Sequence, residues 1–257
     1  MSRQLSELDQ LAQSVLLPPS GIIHLWSAEL DVPGDEAQAF QLLAADERHR
    51  ALQFRFDRDR RRFTIARAAL RAVLAQYGSH KPNEIVLRYG PYGKPALACG
   101  EPQFNLSHSG DLAVIAVCAD APLGVDIEQL NRPMDSMELI RSFASANEQA
   151  AFAALSQEHH ARAFLHWWTR KEAVLKALGT GHALPMDSFD VSILPDNAGG
   201  AEVRSAEFRQ SLSLQNIPLA AGYIGSLAVC GAVHSIETRH AGRVAANRLD
   251  PSTSEGI

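Results

Sequence analysis

The sequence predicts an α+β (α/β) protein of two similar halves, and three observations carry that expectation. A strand, a long helix and apolar strands follow one another twice along 257 residues, with a joint near residue 120. Long stretches repeat their apolar residues at steps of three and four, whereas others alternate or run apolar for a strand's length. The composition, 46% hydrophobic and 21% charged, supplies a substantial core in a chain long enough for one large domain or two small ones. No residue-level repeat accompanies the repeated order, so a duplication is suggested by architecture alone.

Residues 1–19 read as a weakly ordered leader that ends at Pro18-Pro19. The N-terminal half is expected over 20–119, the C-terminal half over 120–236, and a polar, disordered tail over 237–257. Ile22 to Leu30 is a strand. Phe63, Ala66, Leu70, Val73 and Tyr77 mark one face of a helix that Gly78 stops. GPYGKP, Gly90 to Pro95, is a turn between short extended pieces. LAVIAVC, Leu112 to Cys118, is a strand, and LGVDIEQL, Leu123 to Leu130, alternates as another. Ser145-Ala146-Asn147-Glu148 is a capping box opening a short helix. A longer helix runs from about Ala161 to Leu178, with Gly179-Thr180-Gly181 as its stop. Phe189, Val191 and Ile193 alternate as a strand, and Pro218 to His234 closes the fold with one or two more.

The net charge of −5 argues against nucleic acid as the main partner. Cys99, Cys118 and Cys230 are odd in number and contain no CxxC, as expected of reduced thiols in a cytoplasmic protein. The polar N-terminus is not a secretory signal, and the most apolar window is broken by Pro218, Gly222 and Gly225, too short to span a bilayer.

Four clusters carry chemistry. In LGVDIEQL, Asp126 and Glu128 lie on one strand face, roughly 6.5–7 Å apart. Alone, such a pair is an exposed acidic edge. In HWWTRKEAVLKALGTG, Leu165, Trp168, Leu175 and Leu178 form a core-facing stripe that contains Glu172, and Lys176 shares the Glu172 face. A solvated i,i+4 ion pair is the bland alternative, but a carboxylate on an apolar stripe costs free energy unless a cation meets it. Asp126, Glu128 and Glu172 together offer the hard oxygen donors that Mg²⁺ favours. FNLSHSG, Phe104 to Gly110, gathers Ser107, His108 and Ser109 in one short loop. That loop suits an anion, and equally a serine-rich turn bonding its own backbone. A serine nucleophile with an adjacent histidine base is the third option, without a G-x-S-x-G elbow to support it. Finally DERHR and DRDRRRF, spanning Asp46 to Phe63, offer forked donors for a polyanion or simply a solvated helix face. Lys94, in the Gly/Pro turn, is a phosphate contact or an exposed turn lysine.

In this order and spacing, GPYGKP, FNLSHSG, GVDIE and WTRKEAVLKALGTG resemble the motifs of the surfactin-type (Sfp-type) 4′-phosphopantetheinyl transferases. Trp168, Lys171, Glu172, Ala173, Lys176, Gly179 and Gly181 match W-x-x-K-E-A-x-x-K-x-x-G-x-G, and the collinear motifs span about residues 46–190. The resemblance implies two similar α/β halves related by a pseudo-twofold, with coenzyme A and Mg²⁺ in the cleft between them. It implies transfer of the phosphopantetheine arm of coenzyme A to a serine hydroxyl of an apo acyl or peptidyl carrier protein, releasing adenosine 3′,5′-bisphosphate. A non-catalytic carrier-binding module and another Mg²⁺-dependent pyrophosphate-cleaving enzyme are the alternatives. Carried over residue by residue, Asp126, Glu128 and Glu172 are the metal and catalytic carboxylates. Lys176 meets the pyrophosphate, and Ser107, His108 and Lys94 meet the coenzyme's phosphates. Arg62 meets the ribose 3′-phosphate, and Arg50 stands where a family lysine sits. Glu47 falls where another lysine is found, with Arg48 as its replacement. Glu172 is favoured as general base over Glu128. With two related halves in one chain, a monomer suffices.

Overall fold

The computed structural model describes residues 15–31, 36–130, 136–194, 202–204 and 209–241. Mixed helices and sheets make the chain an α+β protein, as expected. Its described residues cluster into two compact units, one of residues 31–85 with 15, 16 and 241, and one of residues 17–30 with 86–240. Among the described residues no helix is long and apolar enough to cross a membrane.

The smaller unit is helical: α1 (Glu36–Leu42), α2 (Ala45–Leu52) and α3 (Asp57–Ala75). Ile65, Ala66, Ala69, Leu70 and Val73 form the buried face of α3, the stripe its spacing predicts. Glu47 of α2 is also buried. It accepts from Ala44 N at 3.0 Å and Arg67 Nε at 2.7 Å, and it pairs with Arg71. Arg71 in turn donates to Pro82 O and Ile85 O at 2.8 and 3.0 Å, so these groups are satisfied inside the unit.

The larger unit contains two main sheets. The first has β1 (Ile22–Glu29), β4 (Gln103–Ser109), β5 (Leu112–Cys118) and β11 (Ser235–His240) in the order β11-β1-β5-β4. The second has β6 (Leu123–Gln129), β9 (Ser213–Asn216) and β10 (Tyr223–Val229) in the order β6-β10-β9. Two hairpins complete the sheets. β2 (Leu87–Tyr89) and β3 (Pro95–Leu97) flank the GPYGKP turn, where Gly90 N donates to Lys94 O at 2.9 Å. The other pairs β7 (Glu202–Arg204) with β8 (Arg209–Ser211).

FNLSHSG is strand β4 and not a loop. Its polar composition disguises the alternation: Asn105, Ser107 and Ser109 face inward, where β6 satisfies them, and His108 is exposed on the other face. The polar stretch from Glu237, expected to begin a tail, continues β11 through His240, parallel to β1. Backbone pairing with an apolar neighbour suffices there, and the Arg239 guanidinium lies over the Trp26 ring and 3.1 Å from His24 Nε2. Residues 1–14 of the expected leader, and residues 242–257, lie outside the described residues. Phe189–Ile193 is buried at alternate positions as expected but forms no strand, and its carbonyls serve side chains of the preceding long helix, Arg170 and Lys171, instead.

α4 (Ser136–Phe143), α5 (Ala146–Ala153) and α6 (Gln157–Leu178) complete the unit. The capping box forms: Glu148 N donates to Ser145 Oγ at 3.2 Å, and Ser145 N to Glu148 Oε2 at 3.0 Å. α6 ends at Gly179, whose φ of 68° is left-handed. Leu165 and Leu175 are buried as predicted, while Trp168 and Leu178 pack at the core's margin and Trp167 is wholly enclosed.

α6 lies against β6 with no room for a side chain at Gly124. A Cβ there would collide with Ala173 O and Ala177 N and stand 2.7 Å from Lys176 Cβ. The neighbours are helix backbone, so they cannot rotate away. Gly124→Ala is expected to cost about 1–3 kcal/mol, seen as a lower thermal midpoint, because it overpacks this contact. It is also expected to shift Lys176 relative to β6 and reduce turnover.

Candidate active site

Asp126 sits at the centre of the predicted acidic group, 5% exposed on β6. Its Oδ1 accepts from Lys176 Nζ of α6 at 2.6 Å and from Ser107 Oγ of β4 at 2.9 Å. Its Oδ2 is buried with no hydrogen-bond partner. Burial is the main cause that pushes the Asp126 carboxyl above the ordinary aspartate range. Lys176 and Ser107 oppose it, and the charge of Glu128 adds to it. Lys176 Nζ is also within 3.3 Å of Ser107 Oγ and of Val125 O.

Glu172 lies one helical turn before Lys176. Burial raises its carboxyl first, the charge of Asp126 second, with Lys176 and His182 pulling the other way and Glu128 again raising it. The charges of Asp126 and Glu128 on the strand thus both act on Glu172 of the helix. Glu128 accepts from Ser109 Oγ at 2.7 Å. The Glu172–Lys176 spacing does not give a simple solvated helix pair, because Lys176 turns to Asp126.

β4 and β6 meet through side chains. Val125 N donates to Asn105 Oδ1 at 2.9 Å, Ile127 N to Ser107 Oγ at 3.3 Å and Gln129 N to Ser109 Oγ at 3.1 Å. These amides lie on the β6 edge away from β10, so alternate side chains of one sheet satisfy the backbone edge of the other.

The other predicted residues fall elsewhere. Lys94 Nζ donates to Leu123 O and Ala177 O, both at 3.0 Å, tying the starts and ends of the same two elements. Burial lowers its ammonium to about 8. It lines a cavity of about 240 Å³ with Phe104, Pro122 and Gly179. His108 is exposed on the face of β4 opposite Ser107. Arg50 and Arg62 belong to the helical unit, where the Arg50 guanidinium lies 5.5 Å from the Phe63 ring centre. In the arginine run, Arg60 pairs with Glu36 and Asp57, and Arg61 with Asp31. Arg48 donates to Gln41 O at 2.8 Å and covers the Phe40 ring.

Sequence reasoning put Ser109 in a loop suited to an anion, with no link to Glu128, and missed Asn105, Gly124 and His182. Period-two alternation in FNLSHSG was the available signal for the first two. Among the described residues no three His, Cys, Asp or Glu side chains stand close enough to grip a metal together, and Lys176 supplies the positive charge on Asp126. Asp126 Oδ2, a buried carboxylate oxygen without a hydrogen-bond partner, has the hard-donor chemistry that a divalent cation takes.

Comparison with known proteins agrees with this geometry. Residues 122–228 match the model of the 4′-phosphopantetheinyl transferase superfamily, and residues 32–120 match that of the N-terminal part of a 4′-phosphopantetheinyl transferase. The 4′-phosphopantetheinyl transferase HetI of Nostoc sp. is 35% identical over 178 residues, 67% of this chain and 75% of that protein. The 4′-phosphopantetheinyl transferase psf-1 of Bacillus pumilus is 32% identical over 72% of this chain and 77% of its own length. The 4′-phosphopantetheinyl transferase Sfp of Bacillus subtilis is 27% identical over 74% and 82%. The chain belongs to the 4′-phosphopantetheinyl transferase family and is an enzyme of the Sfp type.

Proposed function

We propose that this transferase moves the 4′-phosphopantetheine arm of coenzyme A onto a serine hydroxyl of an apo acyl or peptidyl carrier protein. One observation carries the site assignment: the buried Asp126, with one oxygen on Lys176 and the other without a partner, amid two further carboxylates. The serine oxygen bonds to the β-phosphorus, the bond from that phosphorus to the bridging oxygen breaks, and adenosine 3′,5′-bisphosphate leaves with the electron pair.

Lys176 presents its ammonium to the charge that grows on the pyrophosphate, already fixed in place by Asp126, Ser107 and the Val125 carbonyl. Mg²⁺, held by Asp126, Glu128 and Glu172, supplies further neutralisation of that charge when bound. Glu172 takes the serine proton, since Asp126 is engaged by Lys176 and Ser107, and Glu128 by Ser109. Arg50, Arg62, Lys94 and His108 are assigned to the coenzyme's phosphates as donors, and Ser107, whose one proton lies toward Asp126 Oδ1, is assigned to that pocket through the carboxylate it orients. The two halves are proposed at 20–119 and 120–236, with β4 side chains capping the β6 edge where the two stretches meet. A monomer in the cytoplasm completes the proposal, in keeping with three free thiols, one of them exposed.

Incubation with coenzyme A, Mg²⁺ and a panel of apo acyl and peptidyl carriers is expected to add one phosphopantetheine mass to a carrier. Excess EDTA is expected to stop the gain and added Mg²⁺ to restore it. No gain on any carrier, or cleavage of coenzyme A that needs no carrier, overturns the proposal. Undiminished transfer in EDTA removes its metal.

A further inference from the structure

We propose that Ser109 is a positioning residue for transfer, which aims Glu128 into the acidic site. Ser109 as a residue is 7% exposed, and the single proton of its hydroxyl is committed: Oγ donates to Glu128 Oε2 at 2.7 Å while accepting from Gln129 N at 3.1 Å. Both bonds come from β6 and leave the hydroxyl no rotational choice. Two residues earlier, Ser107 repeats the pattern, donating to Asp126 Oδ1 at 2.9 Å and accepting from Ile127 N at 3.3 Å.

The repetition follows from strand geometry. Side chains two apart on β4 project to one side with the rise that separates Asp126 from Glu128 on β6. Each hydroxyl therefore takes the amide following one carboxylate and donates to that carboxylate. Asn105, one step further, supplies only the amide half of the pattern, to Val125. The seam thus fixes the backbone of β6 and the direction of two carboxylates together. A glutamate on a strand has three rotatable bonds, and the Ser109 donor restricts them by fixing Glu128 Oε2 against β4. The proton of Ser109 lies on Glu128, so Ser109 acts on the reaction through that carboxylate and not by touching the coenzyme.

This inference rests on Glu128 as a member of the proposed site, and the test separates the two. Ser109→Thr and Ser109→Val have nearly the same shape and differ in the hydroxyl, so steric disturbance of the seam is common to both. The valine variant is expected to lose about 10- to 100-fold in kcat relative to the threonine variant, the usual effect of losing a group that orients a site ligand. KM for coenzyme A is expected to stay within about twofold, because a group lost only from the reacting geometry changes kcat. Equal kcat in the two variants overturns the proposal, and so does a loss carried by KM alone. Should the added methyl prevent folding of both, Ser109→Ala is measured against wild type with the same criteria. Titration with Mn²⁺ alone, followed by its electron paramagnetic resonance signal, gives a readout without transfer. Affinity about tenfold weaker in the valine than in the threonine variant supports the proposal, and equal affinity opposes it. If the wild type transfers nothing to any carrier, the transferase reading fails, and the Mn²⁺ titration still decides the role of Ser109.

Discussion

Asp126→Ala is expected to lose at least about 100- to 1000-fold in kcat, the scale of removing a preorganised charge from a reacting centre. Three consequences combine. The only buried carboxylate of the proposed metal set disappears, Lys176 loses its 2.6 Å partner, and Ser107 loses its acceptor. The fold is expected to survive. Burial raises the Asp126 carboxyl in the folded protein. A raised carboxyl contributes stability below the ordinary aspartate range, and that contribution is lost as pH rises through the folded value. At neutral pH the buried charge is therefore a burden, while Lys176, with 30% of its side chain exposed, can be hydrated without it. The thermal midpoint at pH 7 is expected within about 4 °C of wild type, on the order of 1 kcal/mol. A melting curve beside the carrier mass assay checks both statements. Full transfer by the variant removes the acidic site from the mechanism.

Lys171→Ala is expected to have the opposite profile, with stability lost first. Lys171 is fully buried one residue before Glu172, and its Nζ lies 2.8 Å from Glu148 Oε1, itself 3% exposed. The same ammonium donates to Met186 O at 2.7 Å and to Phe189 O, and lies 4.2 Å from the centre of the Phe189 ring. Burial lowers the Lys171 ammonium despite the attraction of Glu148. The pair is thus no large net source of stability, but breaking it is a different matter. Alanine leaves the carboxylate of Glu148 buried without its cation, and two carbonyls without their donor. That costs about 3–5 kcal/mol, or a fall of roughly 6–20 °C in the thermal midpoint. Lys171→Met combined with Glu148→Gln removes both charges and is expected to melt above the single Lys171→Met variant. A single variant that melts like wild type contradicts this account. Activity should fall as well, because Glu148 also accepts from Val191 N at 2.7 Å and holds the loop packed on α6.

Much of the proposed site is legible in the sequence. Glu172 stood out because a carboxylate interrupts an apolar helical stripe, and Asp126 with Glu128 because like charges share a strand face. Collinearity with FNLSHSG and GPYGKP then narrowed the chemistry to one family. FNLSHSG was misread as a loop because its inward positions are polar, and what satisfies them is an amide edge about twenty residues further on. Lys171 attracted notice only as a motif position. Its burial depends on Glu148, placed by a different helix. Glu47, opposite in charge to the family residue at its position, is an internal acceptor for Arg67 and Arg71 on α3, which no local pattern announces.

The sequence by itself determined the α+β class, most element positions, the helix stops and caps, and the identity of the acidic residues with Lys176. These depend on periodicity, local hydrogen bonding and motif order, all properties of neighbours along the chain. Only the tertiary structure decided that Lys176 belongs to Asp126 and not to Glu172, that Ser109 holds Glu128, and that Gly124 lets α6 approach β6. The polar chain end from Glu237 likewise became a strand only by pairing with β1. The reason is common to all four: each depends on a partner brought within a few ångströms by sheet pairing or helix packing, and separation along the chain says nothing of that distance.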